Sequence, residues 1–262
     1  MALTDKLKAI ANAIRSKTGT TNTMTLDEMS DAINSIQTGM ITSDIQCTTI
    51  PDYLFYECHN LTLTKLPSGI TTIGQCAFLD CYKLALTSLP SSITSIGRGA
   101  FQNCEQLALT KLPSGITKIE GWTFYGNDYH KCQKIALTEL PSGIISIGSS
   151  SFTNCINLAL TSLPSGITSI GNDAFSYCYK LELTKLPSGI TRIGERAFRS
   201  CKGLTTLTFK GTPATIGQTA FFDCDNLTTI NVPWAEGAVA NAPWGATNAT
   251  INYNYVAKEP SI

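Results

Sequence analysis

Ten cysteines and two histidines are the residues of this chain best suited to redox chemistry, metal binding or nucleophilic catalysis. Eight of the cysteines form a series: Cys58, Cys81, Cys104, Cys132, Cys155, Cys178, Cys201 and Cys224. Seven of these follow a phenylalanine by three residues, and the phenylalanines (Phe55, Phe78, Phe101, Phe124, then Phe152, Phe175, Phe198, Phe221) advance in steps of 23. The exception is Cys132, separated from Phe124 by five extra residues. Ten cysteines in a small secreted domain would suggest a disulfide framework. Eight at one offset of a repeat instead predict a column of free, buried thiols, each acting as a small hydrophobe with a weak donor. Cys47 and Cys76 fall outside the series and are expected to be more exposed. His59 and His130 belong to no HExxH, nucleophile elbow or paired-cysteine zinc pattern. Asp128, His130 and Cys132 could be imagined as metal ligands, but Cys132 belongs to the interior column. There is no Gly-rich phosphate loop, and no general acid and base can be nominated. No catalytic residue, metal or cofactor is expected, and the chain reads as a non-enzyme.

The elements that position these residues follow from the period. A repeat of 20 to 30 residues with Leu, Ile and Phe at constant offsets is the pattern of a stacked solenoid, whose single coil cannot bury its apolar edge alone. The regular unit is CxxLxLTxLPSGITxIGxxAFxx, as in Cys81 to Asn103. Its inward set is Leu84, Leu86, Leu89, Ile93, Ile96, Ala100 and Phe101. Two short parallel strands per coil are expected, LxLTxLP and ITxIG. Pro67, Pro90, Pro113, Pro141, Pro164 and Pro187 end the first of them, because proline cannot donate to a ladder. The following Ser-Gly makes a tight corner, which does not strictly demand glycine, since Ser92 replaces it once. About eight coils stacked at the usual strand spacing give a rod of about 40 Å. In the last coils the second apolar residue moves one place on, to Leu207 and Ile230, and the strand register is expected to relax there.

The ends differ. Residues 1–39 predict an α-helical hairpin for docking or oligomerisation: Leu3, Leu7, Ile10 and Ile14 draw one apolar stripe, and Leu26, Met29, Ile33 and Ile36 another. Thr25 and Glu28 form a capping box, and Gly39 is a C-cap. Residues 40–233 make the solenoid. Residues 234–262 predict a C-terminal cap with a short helix from Ala235 to Ala240, a strand through Ile251, and Trp234 and Trp244 over the last coil. The fold class is therefore mainly β, a leucine-rich solenoid between a helical hairpin and a cap.

Nineteen basic and nineteen acidic side chains cancel, so nothing steers the protein toward nucleic acid or an anionic membrane. The N-terminus lacks the continuous apolar run of a signal peptide, and no stretch is long enough to span a bilayer. The chain is expected to work without Sec export, or to begin at an added Met.

The fourth coil is irregular. It carries Glu120 where other coils have glycine, then Trp122, Tyr125, Asn127, Asp128, Tyr129 and His130 around the five-residue insertion. Solenoid insertions fall in loops on one face, and rings beside Asn and Asp suit sugar or protein contact. A neutral length variant is the alternative. A second surface is the column Thr64, Thr87, Thr110, Thr138, Thr161 and Thr184, which a solvated strand face would equally produce.

From Cys58 to about Pro233 the chain resembles the leucine-rich repeats of the BspA or Treponema pallidum type, whose units run CxxL and then IxxSVTxIGxxAF. That resemblance implies a cell-surface or secreted binding protein without enzymatic activity. The LxLTxLP segment departs from the family's usual pattern, which only the last coils keep, and the export signal of an adhesin is absent. Residues 1–39, with IANAIRSKTG and TLDEMSDAINSI, resemble the N-terminal segments of tail-fibre and other virion proteins of Firmicutes phages and prophages. The two resemblances together imply a tail-associated virion component assembled in the bacterial cytoplasm. It would be a homo-oligomer, joined to itself or other virion proteins through residues 1–39, with the repeats facing a host-cell surface protein or glycan. A BspA-like bacterial surface adhesin is the alternative.

Overall fold

A computed structural model describes residues 48–256. The helical hairpin expected at residues 1–39 and Cys47 lie outside them. The described chain is a parallel β-solenoid of about nine coils with no helix.

The ITxIG segment gives one two-residue strand in each of eight coils. These are β1 (Thr49–Ile50), β2 (Thr72–Ile73), β3 (Ser95–Ile96), β4 (Lys118–Ile119), β5 (Ser146–Ile147), β6 (Ser169–Ile170), β8 (Arg192–Ile193) and β10 (Thr215–Ile216). Each isoleucine is buried and each Thr, Ser, Lys or Arg beside it faces outward, the period-two pattern of a half-buried strand. The register is one repeat per step, Ile50 opposite Ile73 opposite Ile96, and Ile147 opposite Ile170 opposite Ile193.

The leucine segment behaves differently from expectation. It is a strand only toward the C-terminus, in β7 (Lys185–Leu186), β9 (Thr206–Phe209), β11 (Thr229–Asn231) and β12 (Thr250–Asn252). In the earlier coils one backbone bond per boundary links these segments, such as Ala85 N–H to Leu63 O and Ala108 N–H to Leu86 O. Proline limits the pairing: of the LxLTxLP segments only Lys185–Leu186 joins a ladder, and its partner is the proline-free Thr206–Phe209, the longest strand. The register that was expected to relax here is instead the fullest, with Leu207, Ile230 and Ile251 in line.

The third side of each coil, from Phe to Cys, is neither strand nor helix. Alternate N–H groups turn back three residues within the coil, as Tyr56 to Tyr53 and Cys58 to Phe55, while those between them cross to the next coil, as Tyr53 to Gln75, Phe55 to Ala77 and Glu57 to Leu79. This alternation needs two left-handed residues per coil. They sit two before and two after the phenylalanine: Cys76 and Asp80, Asp173 and Tyr177, Arg196 and Ser200, all with φ between 50° and 62°. Asp and Asn tolerate that region best among residues with a side chain, and Asp80, Asn103, Asn154 and Asp223 occupy the second position.

The interior is columnar. Consecutive phenylalanine rings stack with centroids 5.2–5.8 Å apart and planes within 17°, in the offset geometry that ring quadrupoles favour. Beside them the cysteines are free and buried. Each thiol does more than fill space: Cys81 donates to the Phe55 carbonyl of the coil before at 3.0 Å, and Cys104, Cys155, Cys178, Cys201 and Cys224 repeat the contact at 2.9–3.2 Å. Cys132, displaced by the insertion, donates to Tyr125 in its own coil. Burial pushes the thiols of Cys104, Cys155, Cys178, Cys201 and Cys224 up, Cys224 to about 12. Cys76 is only half-buried, as expected.

At the C-terminal end no helix forms at 235–240, which is a run of turns. Nor does the segment close the stack, since β12 pairs in register with β11 and has no strand beyond it among the described residues. It is a further, irregular coil. Trp244 takes the place of the next phenylalanine: it is fully buried, its carbonyl receives the Phe221 N–H, and its indole donates to Ala240 O at 2.7 Å. Trp234 packs edge-on against Phe209 and Trp244. These rings fill the last coil's interior, and among the described residues nothing pairs with the outer edge of its ladder.

Candidate binding surface

The coils share side chains as well as backbone. Asp52 accepts the Gln75 N–H at 2.6 Å, Asn172 accepts the Glu195 N–H, and Glu195 accepts the N–H groups of Gln218 and Thr219 with the Thr219 hydroxyl. These bonds hold the Glu195 carboxyl below its ordinary range. On the strand face Thr71, Thr94, Thr168 and Thr191 hydroxyls donate to the coil before. These side chains help to hold the stack together.

One boundary is different. The glycine after each strand donates to the preceding coil's isoleucine carbonyl: Gly74 to Ile50, Gly97 to Ile73, Gly148 to Ile119, Gly171 to Ile147, Gly194 to Ile170 and Gly217 to Ile193, all at 2.8–2.9 Å. A Cβ on any of these would lie 2.4–2.6 Å from an atom of the coil before, in most cases a backbone amide nitrogen. In the fourth coil that residue is Glu120. Its Cβ cannot enter the same space, and the ladder of this face stops between β3 and β4, leaving separate sheets on either side. The phenylalanine spacing is widest there, 5.8 Å between Phe101 and Phe124. On the turn side the coils stay joined, through Gly99 to Gly121, Phe101 to Thr123 and Asn103 to Tyr125. The fourth coil is thus unpaired with the third along the strand ladder and bonded to it along the turn side.

The insertion lies on the turn side and is well anchored. Asn103 donates to the Asp80 carboxylate and accepts the Asn127 N–H. Asn127 in turn accepts from the N–H groups of Tyr129 and His130, closing a local turn, and Asn154 donates to Gly126 O. This folds His130 back across the third coil. Its Nδ1 meets the Glu105 carboxylate, and its ring stacks 4.0 Å from Tyr82, whose other face stacks 4.7 Å from His59. Both histidines therefore sandwich one tyrosine. Burial, then Asp80, Glu57 and Glu105, push the Tyr82 phenol up.

The six residues singled out in the fourth coil are not gathered into one pocket. Trp122 sits at a left-handed position, φ 64°, half-buried, its ring tilted 4.7 Å from Tyr125. Tyr125 is half-buried, with its phenol raised by desolvation and by Asp128. Asn127 and His130 are structural in the loop. Asp128 is exposed, and Tyr129 is 90% exposed. Among the described residues no group of three or more His, Cys, Asp or Glu could hold a metal. The threonine column is exposed throughout, with an ion pair of 3.9 Å between Lys111 and Glu139 above a cleft of about 310 Å³.

Sequence reading missed a second aromatic group at the same edge. Arg199 lies over the Tyr177 ring at 5.1 Å and the Phe222 ring at 5.6 Å, and Tyr177 meets Tyr179 edge-on. The signal was available in the repeat: residues one or two after the phenylalanine, or one after the cysteine, fall into columns that bring coils 23 residues apart into contact. Before the last coil every partly exposed aromatic side chain among the described residues lies on this edge, and none on the strand or leucine faces.

A stack of parallel leucine-rich coils with its variable side chains along one edge defines a repeat scaffold of the leucine-rich class. The chain belongs to the BspA type leucine rich repeat region family, matched over residues 30–135 and 126–239. No curated protein matches it. Among solved structures it is similar to a leucine rich cell surface protein from Faecalibacterium prausnitzii, at 26% identity and TM-score 0.52 over 72% of this chain. It shares its fold with a leucine-rich repeat protein from Bacteroides ovatus, at 22% identity and TM-score 0.53 over 78% of this chain. The match spans 58% of each of those proteins. None of these comparisons points to a virion protein, and the surface-protein alternative fits them better.

Proposed function

We propose that this chain is the repeat region of a bacterial cell-surface protein that binds a protein or glycan partner along its turn edge. Membership of the BspA type repeats and likeness to the F. prausnitzii cell surface protein support the surface role. The observation that carries the binding role is the concentration of Tyr, Trp, His and Phe on one edge of a scaffold whose other faces carry Thr, Ser and Lys, since aromatic residues are enriched in the anchors of protein interfaces. The interior column of phenylalanines and thiols serves the scaffold.

The test is surface shaving. Brief trypsin treatment of intact producing cells should release peptides from residues 48–256, and antibody to that region should label unpermeabilised cells. Protection until lysis, or recovery of the chain in purified phage particles, would overturn the surface reading.

A further inference from the structure

Arg199, on the C-terminal turn edge, makes no ion pair among the described residues. Its guanidinium lies between the Tyr177 and Phe222 rings, and its Nε is covered without a hydrogen-bond partner. The carboxylates around it are all engaged elsewhere. Asp173 holds Arg196 through two bonds of 2.9 and 3.1 Å. Asp223 accepts from Ser200 on one oxygen and pairs with Lys202 on the other, and Asp225 also pairs with Lys202. Asp223 feels the Arg199 charge but makes no ion pair with it, its bonds going to Ser200 and Lys202. What remains is a planar fork, held by ring faces, with its two Nη atoms toward any incoming group. Tyr179 and Phe222, 38% and 46% exposed, flank it.

We propose that Arg199 is the anchor for a carboxylate side chain of a partner protein, with Phe222 and Tyr179 as its apolar surround. A guanidinium offers a carboxylate two parallel bonds. Stacking between Tyr177 and Phe222 removes rotamer freedom before binding, so less is lost on association. A protein is favoured over a sugar by shape and by ring use. Neither of the clefts described, along residues 236–253 and 111–142, lies at these residues, whereas small ligands occupy concave sites. One face each of Tyr177 and Phe222 is already committed to Arg199 and is closed to a sugar ring. A flat patch of Tyr, Phe and Arg is the composition of a protein hot spot. The proposal rests on the turn-edge reading of function, and deepens it.

The test uses the full chain carrying isotope-labelled arginine, titrated at physiological salt with a capped Leu-Glu-Leu tripeptide, its Leu-Gln-Leu counterpart and methyl glucuronide. The Glu peptide should shift the Arg199 guanidinium carbon saturably and the Gln peptide should not. Arg199→Lys, which keeps the charge and loses the fork, should weaken the Glu peptide about tenfold, and Phe222→Ala should weaken it several-fold with the guanidinium signal of Arg196 unchanged. Equal response to Glu and Gln peptides, or equal shifts at Arg98 and Arg192, would overturn the site. Tighter binding of the glucuronide than of the Glu peptide would overturn the protein partner in favour of an acidic glycan. A chain that binds the Glu peptide at Arg199 yet is absent from the cell surface removes the surface role alone, which keeps the two failures distinct.

Discussion

Replacing Glu120 by glycine should close the seam in the strand face. Across that seam three contacts made at regular boundaries are missing among the described residues: residue 120 N–H to Ile96 O, Thr117 N–H to Thr94 O, and the Thr117 hydroxyl to Thr94 O. Their counterparts elsewhere measure 2.8 Å for Gly97 to Ile73, 2.8 Å for Thr94 to Thr71 and 3.1 Å for the Thr71 hydroxyl to Thr48. A net hydrogen bond stabilises by about 1 kcal/mol, and the added glycine costs about 0.5–1 kcal/mol of chain entropy. Glu120 is exposed and in no ion pair among the described residues, so its removal costs little more. Glu120→Gly should therefore stabilise by about 2 kcal/mol. Because repeat arrays need not unfold in one step, the assay is native-state hydrogen exchange beside denaturant titration. The amides of Thr117 and residue 120 should become protected, and the midpoint should rise. The mirror experiment is Gly171→Ala, whose Cβ would stand 2.4 Å from Ser149 N; it should open a second seam and cost about 2–3 kcal/mol. If Glu120→Gly leaves both amides unprotected and the midpoint unmoved, the side chain at 120 is not the cause of the seam. The five-residue insertion would then be the cause instead.

The thiol column gives a pH prediction. Burial raises the folded-state values of Cys104, Cys155, Cys201 and Cys224 above the ordinary 9.0, so the stability they contribute is whole below about 9 and is lost as pH rises toward about 12; denaturant midpoints across that range should fall with pH, and a flat profile would count against burial. An Ellman titration of the native protein should label Cys76 and none of the eight columnar thiols. Cys178→Ala should destabilise by about 1–2 kcal/mol, from the lost thiol bond to Phe152 O and the void beside it, whereas Cys76→Ala should be within about 0.5 kcal/mol of neutral. Asn103→Ala removes the anchor of the insertion, and limited proteolysis should then cut within residues 126–131 at least several-fold faster, with the core exchange pattern unchanged.

The 23-residue step made the solenoid, the buried thiols, the phenylalanine column and the proline-ended leucine segment legible, because each follows from one offset repeated. The glycine-to-serine corner at Ser92 was also readable: a Cβ at Gly69 meets nothing within 4 Å. What was not legible depended on contacts between coils. Glu120 was visible as an irregularity, but its consequence needs the position of the neighbouring amide. The leucine segments were expected to form strands throughout, yet pairing fails between two proline-ended segments and succeeds from Thr206–Phe209 on, the reverse of the expected loss of register. The helix at 235–240 was read from small residues alone; tertiary demand for Trp244 in the phenylalanine column overrode that propensity, which is weak over six residues. The aromatic insertion was recognised as individual, but His130 was weighed as a ligand group when its ring completes a stack with Tyr82 and His59.

Why the individuality of this protein collects at one edge follows from what each face must do. On the strand face Thr71, Thr94, Thr168 and Thr191 have a backbone partner in the coil before, and a Cβ on the glycine that follows each strand would meet that coil, as at Glu120, where the ladder stops. On the leucine face proline fixes the chain, and the intervening positions are small or flexible. The residues one after each phenylalanine and one after each cysteine vary there without breaking a ladder, because the backbone bonds of that side run through N–H and C=O groups, and the left-handed residue two after the phenylalanine varies within the limits of its φ. Those positions hold Tyr56, Tyr82, Tyr125, Tyr177, Arg199 and Phe222 in different coils. Replacing them should therefore alter partner binding far more than stability. Tyr179→Ala, 38% exposed and clear of the backbone ladder, is the sharpest case: a loss above about 1 kcal/mol in unfolding free energy, where surface changes cost within about 0.5, would show that the edge is part of the scaffold and would sink its assignment as the binding surface.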